Sequence, residues 1–126
     1  MTDSVSNTVT MAIDTKKYGI RIHKPLFRQL GEPKYIQLLV NPTESVVAIK
    51  TVEAEIPGSP AHRIYEKRMN SDRSYEIYSR SFIVRLREIE PNLSEGGAYR
   101  ISGEMVPSQK MAIFSLKTLQ RMDKAE

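Results

Sequence analysis

Cysteine and tryptophan are absent from this chain, and histidine occurs only twice, as His23 and His62. Without cysteine there is no disulfide, no thiol nucleophile and no thiolate-bound metal. The two histidines stand far apart in the sequence, and neither belongs to an H-x-x-x-H or H-x-H pair, so no metal ligands are assigned. Serines are plentiful, but none sits in a G-x-S-x-G elbow. Neither G-x-G-x-x-G nor G-K-S/T occurs, which leaves no phosphate cradle of a nucleotide enzyme. The carboxylate pairs Glu53/Glu55 and Glu88/Glu90 read as solvated side chains. The expectation is a protein that is not an enzyme, with no catalytic residue, no metal and no cofactor. No stretch approaches the ~20 apolar residues of a membrane helix, so no membrane partner is expected. The opening MTDSVSNTVT lacks the basic and apolar regions of a secretory leader, and a cytoplasmic location is expected.

What is present fits one ordinary domain. The chain has 126 residues, 40% hydrophobic and 27% charged. Nineteen Lys and Arg stand against 15 acids, a net charge of +4. The placement of this excess is informative. Residues 16–34 hold six basic residues and one acid, and residues 63–87 hold seven and three. A field of one sign over two corresponding regions suits an anionic polymer.

Residues 18–50 organise the chain. Tyr18, Ile20 and Ile22 alternate with Gly19, Arg21 and His23, the period-2 pattern of a half-buried strand. Pro25 suits a first helical turn, Leu26, Phe27 and Leu30 share a face, and Gly31 stops the helix. Residues 35–40 and 46–50 are apolar and β-prone, with turn chemistry at 41–44. A second copy of this unit spans residues 74–116, with a helix at 82–89 and a hairpin around Pro107-Ser108. An offset of 64 aligns Tyr35 with Tyr99, Ala48 with Ala112 and Ile49 with Ile113, and an offset of 56 aligns Leu26 and Leu30 with Phe82 and Leu86. The offset then grows by eight residues across the loop at 91–97.

The reading divides the chain into an N-terminal arm and strand (1–16), a first β-α-ββ unit (17–52), a linker (53–73), a second unit (74–116) and a C-terminal helix or tail (117–126). Residues 62–69 read as an edge strand or a basic loop. Each unit alone has one sheet face and one short helix to cover it. The expected fold is therefore mostly β with short helices (α+β), two tandem units forming a pseudo-twofold swapped-hairpin barrel. The expected core is Ile20, Ile22, Leu26, Leu30, Ile36, Leu38, Val40, Val47, Ile49, Phe82, Leu86, Ile101, Ile113 and Leu116.

The segment IRIHKPLFRQLG, followed by KYIQLLVNPTESVVAIK, resembles the swapped-hairpin DNA-binding domains of the AbrB and MraZ type. Ile22, Leu26, Arg28, Leu30 and Gly31 match that family's strand-to-helix motif, whereas His23-Lys24-Pro25 departs from it because the proline comes late. The second unit matches only in outline. The stretch LGEPKYIQLLVNP also looks like small proteins of Gram-positive bacteria and their mobile elements. The first resemblance implies binding of double-stranded DNA by a bacterial transcriptional regulator or mobile-element accessory factor. Carried over by position, Arg21, Lys24 and Arg28 would touch DNA, with Lys17 just before them. The internal repeat adds Arg80, Arg85 and Arg87. Arginine suits phosphate because its planar fork bonds two oxygens at once. A tandem copy implies a monomer with internal pseudo-symmetry, or a homodimer. Tyr65, Tyr75 and Tyr78, interleaved with Arg63, Arg68, Arg73 and Arg80, could stack bases. The alternative is a non-enzymatic interaction or assembly module built on the same double-β barrel.

Overall fold

Alternating apolar residues build most of the chain into one sheet, seen in a computed structural model that describes residues 8–53, 61–64, 74–94 and 96–122. Strands β1 (Thr8–Asp14) and β2 (Gly19–His23) lead into helix α1 (Lys24–Gln29), then β3 (Tyr35–Asn41) and β4 (Val46–Val52). A short β5 (Ala61–Arg63) and β6 (Ser74–Tyr78) lead into α2 (Arg80–Ile89), then β7 (Ala98–Val106) and β8 (Met111–Arg121). All eight strands join one antiparallel sheet in the order β5-β3-β4-β8-β7-β1-β2-β6. The strands make up 56% of the structure, and the sheet curls into a nearly closed barrel.

Exchanging β1, β2, β3 and β4 with β5, β6, β7 and β8 maps six of the seven strand pairings onto observed ones, the expected pseudo-twofold; the exception is β1–β2, whose counterpart β5–β6 is not paired among the described residues. The repeat is larger than the sequence suggests, because each unit carries its own leading strand. The hairpins are swapped: β3 pairs with the leading strand of the second unit, β5, and β7 pairs with that of the first, β1. The equivalences come from matching burial. β2 and β6 show the same in-out pattern at an offset of 55. The helices keep 56, burying Leu26 and Phe27 against Phe82 and Ile83.

In the hairpins the offset is 65, not 64. Val47 and Ile49 are buried, as are Ala112 and Phe114, and the left-handed residues Ser45 (φ 58°) and Lys110 (φ 50°) occupy the same turn position. The identities at 64 were coincidental, and a slip of one residue turns each strand inside out. The inserted residues lengthen α2 and add a 3-10 turn at Pro91–Ser94. The axis then runs through two pairs of counterparts, Arg21 opposite Glu76 and Ala48 opposite Ile113.

Twelve of the fourteen residues expected in the core are buried; Val40 and Ile113 are only half-buried. Ile113 fails because Ala112, Phe114 and Leu116 take the inward positions of β8. The C-terminal helix expected from residue 117 is also corrected. Leu116, Leu119 and Met122 have helical spacing, but β8 runs on to Arg121, opposite Tyr99. An irregularity between Arg100 and Ser102 shifts the register there, and the Thr118 hydroxyl bonds both the N–H (2.8 Å) and the carbonyl (3.3 Å) of Ser102. A bulge changes strand parity, which is how apolar residues three apart share a face of a strand. The edge strand expected within 62–69 is β5; residues 65–69 lie outside the described residues.

Short-range chemistry ends the helices, as expected for α1; α2 starts at Arg80, two residues before the expected 82. Pro25 lies in the first turn of α1, and Gly31 at φ 91° closes it with its N–H on the Arg28 carbonyl at 2.9 Å. Ser79 caps α2, accepting a 3.4 Å bond from the Phe82 N–H.

Candidate nucleic-acid interface

The two helices follow β2 and β6, which lie side by side and antiparallel across the axis, Gly19 facing Tyr78 and His23 facing Ser74. They therefore start at opposite ends of a short ribbon. Lys24 opens α1 and Arg80 opens α2, and the twofold makes them counterparts. Neither helix has an acid in its first turn. Arg28 lies exposed in the last turn of α1, and Arg80 and Arg85 are exposed on α2; Lys24 is half-buried.

The other candidates are engaged within the fold. Arg21 donates to Glu76 at 3.2 Å, with the two side chains 39% and 20% exposed, so its charge is matched on the axis itself. The Tyr78 hydroxyl donates to the same carboxylate at 3.0 Å, and that bond raises the phenol's pKa. Lys17 is exposed in the turn after β1, where its N–H and that of Lys16 cap the Asp14 carboxylate at 3.1 and 2.9 Å. Arg87 is half-buried. Its Nη2 donates to the Thr15 carbonyl at 3.1 Å, and its Nε is buried with no hydrogen-bond partner among the described residues.

Tyr18 was not singled out from the sequence as a site residue, yet it joins the halves. Its ring lies 4.6 Å from the Arg80 guanidinium and 5.4 Å from that of Arg87, and its carbonyl accepts the Ser79 N–H at 2.9 Å. Its backbone is left-handed, at φ 56°. Arg63 stacks likewise on Tyr35 at 5.7 Å, and Arg121 on Tyr99 at 5.4 Å. Each such contact is worth about 0.5–1 kcal/mol when exposed. No local signal reveals these pairs, because the partners lie far apart along the chain. Of the tyrosines read as base-stackers, Tyr75 is buried and Tyr78 is 59% exposed; Tyr65, Arg68 and Arg73 lie outside the described residues.

The basic residues obey the twofold only in part. Arg28 corresponds to Val84 and Arg85 to Gln29, so Lys24 and Arg80 are the one conserved basic position on the helices. Among the described residues no three His, Cys, Asp or Glu side chains gather as a metal site, and no helix is long and apolar enough to cross a membrane. Comparisons with protein-family models, with curated proteins and with solved structures find no match to this chain.

Proposed function

We propose that the protein binds double-stranded DNA without enzymatic activity, acting as a transcriptional regulator or mobile-element accessory factor. The observation that carries this reading is the pair of acid-free helix starts at Lys24 and Arg80, twofold counterparts at opposite ends of the β2–β6 ribbon. Two such basic starts can meet backbone phosphates, with Arg28 and Arg85 reaching further ones. Such contacts position a protein on DNA and carry little sequence information. Arg21 and Arg87, held by Glu76 and Tyr18, support the scaffold in this reading.

Electrophoretic mobility shift of a duplex at several salt concentrations tests it. Each phosphate contact should contribute ~0.9 to the slope of log affinity against log salt. Replacing Arg28 and Arg80 together with alanine should weaken binding and flatten the slope by about two such units. No shift at micromolar protein, even near ~50 mM salt where phosphate contacts are strong, would refute the proposal.

A further inference from the structure

The pseudo-twofold axis leaves the barrel between Ala48 and Ile113, on the wall opposite the β2–β6 ribbon. On that wall the outward residues of β3, β4, β8 and β7 form rows across the sheet. The central row runs Leu39, Ala48, Ile113, Glu104. The row on one side sets Lys50 beside Met111 and Met111 beside Val106; the row on the other sets Val46 beside Ser115. Of the twelve outward positions in these rows, three on each of four strands, Lys50 and Glu104 are the two that carry charge. Scarcity of charge around an apolar centre is the compositional mark of an interface core.

This wall carries a knob and a hollow. Leu39 stands 37% exposed on β3. A groove of about 430 Å³ opens mainly on the other side of the axis, where Thr8, Glu104, Val106 and Ile113 line it. Val46, Ala48, Val106, Met111 and Ile113 are all half-buried, so each has surface left to bury.

We propose that this wall is the interface of a weak homodimer, in which Leu39 of each copy fills the groove of the other. A dimer twofold parallel to the strands, between β4 and β8, lays β3 of one copy over β7 of the other and β4 over β8. Leu39 then seats beside the partner's Ile113 and Glu104, and Ala48 packs on the partner's Ile113. Lys50 stands one strand spacing and one row from the partner's Glu104, ~8 Å in the plane, within reach of its long side chain. Each contact occurs twice, as an isologous interface requires. Four strands ~4.8 Å apart and three rows ~7 Å apart give roughly 400 Å² of sheet on each copy. A total near ~800 Å² is below the standard interface size, so the dimer is transient. A different protein is a poorer occupant, because knob, groove and both charges already complement one another within this chain. The dimer turns the two pairs of helix starts away from each other, and the inference does not rest on DNA binding.

Sedimentation of the full chain from about 5 to 500 µM should show a monomer–dimer equilibrium, half dimer near ~100 µM. Leu39→Glu should remove the dimer and leave the melting temperature of the dilute protein unchanged, since Leu39 is exposed. Lys50→Glu and Glu104→Lys should each weaken association about tenfold by setting like charges together at two places. The double variant should recover it. The methyl resonances of Val106 and Ile113 should shift as the protein is concentrated, and those of Ile22, inside the barrel, should not. A monomer at about 500 µM would overturn the proposal and leave the groove to another occupant. So would a dimer unaffected by Leu39→Glu, or a double variant that associates no better than either single one.

Discussion

Replacing Leu30 by alanine should be felt across the whole barrel, not only in the first half of the chain. Leu30 ends α1 at 1% exposure, its carbonyl accepts the Thr51 hydroxyl at 2.8 Å, and its counterpart Leu86 is fully buried in α2. Truncating a buried leucine costs about 2–5 kcal/mol, more when the site cannot collapse. The sheet around each helix is fixed by ladders on both sides, so the upper part of that range is expected at both positions. Against a total stability of roughly 5–15 kcal/mol this is a large fraction. The melting temperature should fall by about 10–20 °C, taking ~4 °C per kcal/mol for a domain of this size. Neither half closes a core alone: the β2–β6 and β4–β8 ladders both cross the axis. Leu30→Ala and Leu86→Ala should therefore each shift one cooperative urea transition, with the slope m unchanged. Urea titration followed by far-ultraviolet circular dichroism and by tyrosine fluorescence measures this. Two separate transitions in either variant, or a loss below about 1 kcal/mol, far under the cost of a fully buried leucine, would refute the single-barrel argument.

Gly103→Ala should destabilise by about 3 kcal/mol or more, at the top of the range for overpacking. A Cβ there would meet the backbone of Ile113 and, at 2.6 Å, the Phe114 Cα, neither of which is a movable side-chain end; a thermal melt matching the parent would contradict the close approach of β7 and β8. His62 should give acid-side instability. Burial lowers its pKa below 6.5, so the folded state favours the neutral ring. Its contribution is whole above the unfolded value and is lost as pH falls through the folded value. Melts of the parent and His62→Gln between about pH 7.5 and 5, bracketing the histidine range, should show a shallower acid slope in the variant. Val84→Arg should restore the twofold of Arg28 and steepen the salt dependence of DNA binding by ~0.9; an unchanged slope would place the bound duplex away from that face of α2.

Much of the architecture was legible because it rests on short-range signals. Pro25 and Gly31 bracket α1, Asn41 folds the first hairpin by accepting the Glu44 N–H at 3.1 Å, and the alternation in β2, β3 and β4 shows their inner faces. The parts that were missed or left open depend on distant partners. β5, which the sequence leaves between an edge strand and a basic loop, is three residues long and is a strand only because β3 lies beside it. The end of β8 looked helical because a bulge hides its parity. In the second hairpin, identity favoured one register and burial chose the next. The candidate site was half visible: basic windows can be counted in the sequence, but Arg21 facing Glu76 and Arg87 lying on Tyr18 require the fold.

The divergence between the halves bears on what the molecule can recognise. The backbone keeps the twofold through both axis pairs, while the surface keeps it at Lys24 and Arg80 and abandons it at Arg28, where the counterpart is Val84, and at Arg85, where it is Gln29. On the axis itself, Arg21 and Glu76 are structural counterparts of opposite charge, and their pairing cancels the field where a symmetric dimer would have doubled it. A homodimer cannot make that pair, since both copies would carry the same residue there. With both halves in one chain, each can carry residues that the other lacks. In the DNA-binding reading, the duplex meets two unlike helices, so a palindromic target is not required. A single chain can thus present two unlike basic helix starts to one ligand, an arrangement that strict symmetry forbids.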